Sequence, residues 1–393
     1  LLGAVGLFLY GMKVMSEGLQ KAAGDRLRNI LSAMTRNRFT GTVTGFLITA
    51  LIQSSSASTV MVVSFVNAGL MTLAQSMAVI MGANVGTTFT AWVIALFGFS
   101  VNISSFTLPL IGIAIPLLFS SKSRTKSMGE FLVGFSFLFM GLDLISKYVP
   151  DLQTNPEMFA FLQRYTSMGF GSVLIFLFSG LIVTMVIQSS AATFAITLIM
   201  CSKGWIGFDL SCAIVLGSNI GTTITPILAS MSGNVAAKRT AMGHLLFNVL
   251  GTVWAVALFY PFVHLTTWLT ESMGFGDPTT LTGYVKHIEM TQPDLYNHLF
   301  DNSLPAGHEV MRNIAVMQTS VSYGLSLFHT VFNLVNLAIM IWLTNVYVKI
   351  VMALIPGKNP RSTALRPCRH GRQRWQMACH RPYSGRDNNG FRP

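Results

Sequence analysis

Gln53-Ser54-Ser55-Ser56-Ala57-Ser58 is written twice in this chain, and the second copy decides how the rest is read. At an offset of 135 residues stands Gln188-Ser189-Ser190-Ala191-Ala192-Thr193. The same offset lays Gly82-Ala83-Asn84-Val85-Gly86-Thr87-Thr88 over Gly217-Ser218-Asn219-Ile220-Gly221-Thr222-Thr223 without a gap. Gly45, Thr49, Gly69, Ser76, Ala78 and Thr90 also recur, giving 16 identities over residues 45–90. Apolar residues coincide by chance in any lipid-embedded chain. Polar residues and glycines at fixed spacing do not, so the pattern marks a duplicated functional unit, and a repeat of this scale sets the architecture.

Composition defines the solvent. Hydrophobic residues make up 51% of the chain, charged residues 10%, and mean hydropathy is +0.56, the profile of an integral membrane protein. The apolar stretches are long enough to cross, at roughly 20 residues each. The net charge of +12 has the look of a nucleic-acid binder until it is located. Beyond Gly357, nine Lys or Arg stand against one Asp, so +8 belongs to the tail and +4 to everything before it. No nucleic-acid partner is expected. The chain opens at Leu1 inside an apolar run and is read as lacking a few N-terminal residues. Lys13 within that run, with no small-residue cleavage site after it, argues against a signal peptide. Cys201, Cys212, Cys368 and Cys379 are expected to be free thiols.

Loop charge orients the spans. After a first span, residues 17–40 carry Lys21, Arg26, Arg28, Arg36 and Arg38, so this loop is expected in the cytoplasm, as is Lys122-Ser123-Arg124-Thr125-Lys126. Three apolar stretches lie between them, at 41–66, 72–97 and 106–120, where an even number of crossings is needed. The segment 41–66, interrupted by Ser and Thr, is the one expected to enter and return. Such broken or re-entrant helices survive only where buried in protein or lining water. Residues 131–149 then resemble 1–19, with Phe139-Met140-Gly141 answering Leu9-Tyr10-Gly11 and Asp143 standing where Lys13 does. The loops 150–166 and 270–312 are acidic and expected outside, whereas Lys238-Arg239 marks an inner turn.

The expected fold is therefore all-α, with two inverted-topology repeats, each holding a re-entrant or broken Gln-Ser-Ser hairpin. The division is repeat 1 over 1–120, a cytoplasmic linker at 121–130 and repeat 2 over 131–269. An external acidic loop at 270–312, a C-terminal membrane segment at 313–355 and a basic, disordered tail at 356–393 follow. In transporters of this plan the binding site lies at the repeat interface near the midplane.

The chemistry on offer is uncharged. Gln, Ser, Thr and Asn supply hydroxyl and amide donors and carbonyl oxygens. A helix broken at such a motif presents free N–H groups to an anion. The carbonyls of the other half suit a hard cation such as sodium. The glycines at 82, 86, 217 and 221 admit close backbone approach. An intramembrane enzyme would need a base beside a serine nucleophile, and the hairpins contain no His, Asp, Glu or Lys. No enzyme is expected.

These doubled motifs, with Lys238-Arg239-Thr240-Ala241-Met242-Gly243-His244-Leu245-Leu246-Phe247-Asn248 after the second, resemble the signatures of type II sodium–phosphate cotransporters over about residues 1–355, most closely the bacterial branch. The resemblance implies sodium-driven symport of inorganic phosphate across the cytoplasmic membrane, with sodium as coupling ion and no cofactor or other metal. It assigns substrate contact to Gln53, Ser54, Ser55, Ser56, Gln188, Ser189, Ser190 and Thr193. Asn84, Gly86, Thr87, Thr88, Asn219, Gly221, Thr222 and Thr223 become ion ligands or site wall. Ala191 departs from the pattern, removing a hydroxyl that Ser56 keeps. Another small oxyanion, or a non-transporting scaffold or regulator, stays open as an alternative. The glycine-rich spans are compatible with a homodimer. His244 and His329 each open a His-x-x-Phe-Asn pattern, as helix-packing donors or functional groups alike.

Overall fold

A chain in lipid must satisfy its backbone polar groups internally, and every regular element among the described residues is a helix. The computed structural model describes residues 2–23, 37–98, 104–148, 164–296, 299 and 308–357. The basic stretch after Ala23, most of the acidic stretch 150–166, and the tail with Cys368 and Cys379 lie outside the described residues. In order, the helices are α1 (Leu2–Ala23), α2 (Arg38–Ile52), α3 (Ser55–Asn67), α4 (Leu73–Gly98), α5 (Ser104–Leu118) and α6 (Ser123–Tyr148). Then come α7 (Phe170–Ile187), α8 (Ser190–Ser202), α9 (Phe208–Gly221), α10 (Ile224–Ser230), α11 (Val235–Ala257) and α12 (Phe259–Ser272). The chain continues through α13 (Thr280–Thr291), α14 (Pro293–Tyr296), α15 (Glu309–Trp342) and α16 (Thr344–Leu354). Among the described residues six helical stretches are long and apolar enough to cross a bilayer: 73–97, 123–147, 170–187, 208–230, 235–257 and 309–342. This is an all-α membrane protein.

Glycines fix how these helices meet. Lipid tails are as apolar as side chains, so helix association in a bilayer relies on close packing at small residues. A Cβ on Gly45 would overlap the Val79 carbonyl oxygen and one on Gly82 the Thr42 carbonyl oxygen, pressing α2 against α4. At the 135-residue offset, Gly180 meets the Ile214 oxygen and Gly217 the Leu177 oxygen, joining α7 to α9 in the same way. α1 and α6 cross likewise: Gly11 abuts Leu138, Gly134 abuts Met15, and Gly141 abuts Phe8. Partner numbers fall on one helix as they rise on the other, so α1 and α6 run antiparallel.

Enclosure separates scaffold from periphery. In α4, 72% of the span is buried inside the protein, against 33% in α7, which leaves α7 mostly to lipid. α15 ties the core together: Ser326 donates to the Ala91 carbonyl at 3.2 Å, Trp92 donates to Thr330 at 2.9 Å, and Trp254 stacks on Phe332 at 5.7 Å.

Several elements differ from the sequence reading. Residues 123–130, read as linker, form the first turns of α6. The span read over 241–269 is two helices meeting at Leu258, because Pro261 has no N–H to continue the ladder. Within 270–312, read as loop, α13 buries Leu281, Val285 and Ile288, one face at helical spacing. The repeats also diverge. α4 runs regularly through its Gly-x-Asn-x-Gly-Thr-Thr motif, but the second copy tightens at Thr222-Thr223, between α9 and α10, with both residues still right-handed helical and Thr223 N–H donating to Ile220, where Pro226 replaces Ala91.

Candidate functional site

Both Gln-Ser-Ser motifs interrupt a helix at the same point. Gln53 ends α2 with φ 58° and Gln188 ends α7 with φ 57°. They are the only non-glycine residues with positive φ among the described residues. That conformation costs a side-chain-bearing residue about 1–2 kcal/mol, and a helix usually ends there in glycine. Glutamine in a glycine position points to a use for its amide. The next serine caps the following helix. Ser54 and Ser189 are extended, and their Oγ atoms accept from the amides of Ala57 and Ala192, each at 3.2 Å.

The two breaks converge. A cavity of about 350 Å³ is walled by Gln53, Ser54, Ser55, Ser56 and Ala57 from one and by Gln188, Ser189, Ser190 and Ala191 from the other. The first N–H groups of α3 and α8 have no acceptor within their helices, so two helix N-termini face one space. Thr87 and Thr90 line it from α4, and α1 contributes Leu9, Met12, Lys13, Ser16, Glu17 and Gln20. A single water needs only about 10–15 Å³ of such a cavity, so this volume is a vestibule with room for several waters rather than a closed pocket for one small ion.

The hydrogen bonds are unequal. Gln53 is buried; its amide donates to the Ala50 carbonyl at 2.5 Å and its oxygen accepts from Thr90 at 3.1 Å. Ser16 of α1 donates to the Ile52 carbonyl at 2.5 Å, capping the free end of α2. Gln188 is exposed, with no side-chain hydrogen bond among the described residues.

Other candidates face elsewhere. Asn84 donates to Ile80 at 2.9 Å and Thr88 to Val85 at 2.8 Å, both within α4, and neither lines the cavity. Asn219 donates to Val215 at 3.2 Å and meets His329 Nε2 at 3.2 Å; Thr222 and Thr223 donate to Ser218 and Ile220 at 2.9 and 2.7 Å. Gly86 and Gly221 pack against α2 and α7 through Thr49 and Thr184. Thr193 accepts from Thr184 at 2.8 Å and lines a separate apolar cavity of about 450 Å³ beside α7. Sequence reasoning missed the α1 wall and Thr90. The signal for α1 was present: Lys13, Ser16, Glu17 and Gln20 form a polar stripe at helical spacing in an apolar segment.

A polar vestibule walled by two helix breaks lies inside an all-α membrane body, and the family that the chain matches is one of transporters, not enzymes. The chain belongs to the Na+/Pi-cotransporter family, whose pattern matches residues 7–147 and 153–276. Sodium is that family's coupling ion rather than a cofactor, and among the described residues no cluster of His, Cys, Asp or Glu is built to hold a metal. The chain is 29% identical over 354 residues to "Uncharacterized protein YqeW" of Bacillus subtilis (strain 168), covering 89% of this chain and 96% of that protein. It is 32% identical over 275 residues to "Putative inorganic phosphate export protein YjbB" of Escherichia coli (strain K12), covering 70% of this chain but 48% of that one. Over 100 residues it is 39% identical to "Sodium-dependent phosphate transport protein 2A" of Rattus norvegicus, covering 24% of this chain and 15% of the rat protein. No solved structure matches.

Proposed function

We propose that this protein carries out sodium-coupled symport of inorganic phosphate by alternating access across the cytoplasmic membrane, binding anion and sodium between its two Gln-Ser-Ser hairpins. The observation that carries this reading is the convergence of two helix N-termini, each opened by glutamine and serine, on one solvated cavity. Donors without fixed charge, aimed by helix dipoles, suit an oxyanion that must bind and leave again. The carbonyls ending α2 and α7 are the oxygens a sodium ion needs. In the first break two are capped, Ala50 by Gln53 and Ile52 by Ser16, so sodium there displaces side-chain donors. The Ser16 contact and the α1 wall belong to one face of a hairpin pair that opens alternately to each side, the two repeats having opposite orientation in the membrane. Net direction follows the combined gradients. The name of the Escherichia coli relative favours export as a second reading of the same machinery.

The test is radiolabelled phosphate uptake into proteoliposomes under an inward sodium or an equal potassium gradient, for wild type, Gln53→Ala and Gln188→Ala. Sodium-dependent accumulation that each substitution lowers by at least about tenfold is expected, the loss of roughly one charge-assisted hydrogen bond. Uptake indifferent to sodium, or to both substitutions, would sink the symport reading.

A further inference from the structure

The cavity wall holds one pair of charges that the hairpin chemistry does not use. Among its lining residues Lys13 and Glu17 are the only charged ones, and both come from α1. Their Nζ and Oε1 atoms lie 3.9 Å apart, with side chains 71% and 47% exposed. A pair that long and that exposed holds its lysine weakly, so an entering anion with more than one negative charge competes successfully for it.

The pair has a counterpart. Shifted by 130 residues, the α1 stripe Leu9, Met12, Lys13, Ser16 and Glu17 becomes Phe139, Leu142, Asp143, Ser146 and Lys147 on α6. There Lys147 and Asp143 form the same i,i+4 ion pair in reverse order, at 2.8 Å, and neither lines the cavity. Because α1 and α6 run antiparallel, with Gly18 beside Phe131 and Gly141 beside Phe8, the pairs point to opposite ends of the crossing. Glu17 and Lys147 are then separated by roughly 20 Å along the axis, at about 1.5 Å per residue.

We propose that Lys13 receives the anion at the mouth of this cavity, held in reserve by Glu17, and that Lys147, held by Asp143, does the same at the mouth that opens on the other side of the membrane. This rests on the alternating-access reading above. Each lysine exchanges an intrahelical carboxylate for the incoming phosphate, gaining selectivity for anions without a buried fixed charge. The reversed order places Lys147 one turn further out than Lys13, so the two mouths are not equivalent.

The experiment measures phosphate KM in right-side-out and inside-out vesicles at fixed sodium. Lys13→Gln is expected to raise KM about tenfold with phosphate on one face, and Lys147→Gln with phosphate on the opposite face. Lys13→Arg should stay within about twofold of wild type, and Glu17→Gln should lower KM about threefold by freeing the lysine. Added choline chloride should raise the wild-type KM and leave that of Lys13→Gln nearly flat, a response that a packing role would not produce. An unchanged KM in Lys13→Gln, a rise shared equally by both faces, or a rise that arginine does not rescue overturns the assignment. Equilibrium binding of radiolabelled phosphate to the purified protein keeps it separable from symport. Weaker binding by Lys13→Gln supports the assignment even where wild type does not accumulate phosphate with sodium, and equal binding refutes it.

Discussion

At the first break Gln53 is buried, tied to Ala50 and Thr90, and α1 is fastened to it through Ser16. At the second, Gln188 reaches into the cavity exposed, and Thr225, standing where Thr90 does, has a buried hydroxyl with no partner among the described residues. Ser146, the counterpart of Ser16, makes no hydrogen bond to Ile187 among the described residues. Yet the two backbones agree within a few degrees, from φ 58° against 57° at glutamine to −149° against −143° at the capping serine. Like sequence has produced like local geometry, while neighbours decide which amide is occupied and which is free. A buried amide with two partners resists rearrangement, and an exposed one is available to a ligand. The second break is the more accessible wall of the cavity, and the first is braced by α1.

The glycine crossings test whether the two halves share a scaffold. Gly82→Val and Gly217→Val each force a side chain into a facing carbonyl, and both should lose about 3 kcal/mol or more or fail to assemble, read by thermal unfolding in detergent. Unequal losses would break the equivalence of the α2–α4 and α7–α9 contacts. Next, Gln53→Ala should cost about 1–2 kcal/mol of stability through its two lost partners, whereas Gln188→Ala should leave the melting temperature within about 1 °C of wild type. Equal shifts would erase the braced-against-free distinction. The threonines behind them sharpen it further. Thr90→Val should destabilise by about 1 kcal/mol, while Thr225→Val, which removes a hydroxyl that has no partner among the described residues, should be neutral or slightly stabilising by the same measurement. The smallest effect concerns the one motif difference. Ala191→Ser restores the hydroxyl that Ser56 keeps and should change phosphate KM by no more than about threefold in proteoliposome uptake, since the cavity is already rich in donors.

How far the sequence reached depends on the range of each interaction. The interruption of two helices at glutamine and serine could be read from the repeat, because turn and cap chemistry is local: a serine after the break caps whichever helix follows. Ser54, Ser55, Ser56, Ser189 and Ser190 line the cavity. Asn84 and Asn219 share the same duplicated pattern but turn away from it, bonding to carbonyls one turn back. A repeated polar residue is thus equally explained by helix packing, and spacing alone does not separate the two. The tightened turn at Thr222-Thr223, absent at Thr87-Thr88, was visible only as Pro226 in place of Ala91. The α1 wall was overlooked because a polar stripe on one helix does not name the space it faces.

By itself, then, the sequence determined the membrane class, from composition, and the two places where helices break, from residues adjacent in the chain, while the family came from the likeness of the doubled motifs to known signatures. Tertiary structure alone decided that both breaks open onto one cavity, that α1 closes one side of it with Lys13, Ser16, Glu17 and Gln20, and that Gln53 rather than Gln188 is held. Those outcomes depend on contacts between segments tens to more than a hundred residues apart, such as Ser16 with Ile52 or Gly11 with Leu138. Helix crossings set by glycine and carbonyl bring such segments together, and no local preference encodes which faces will meet.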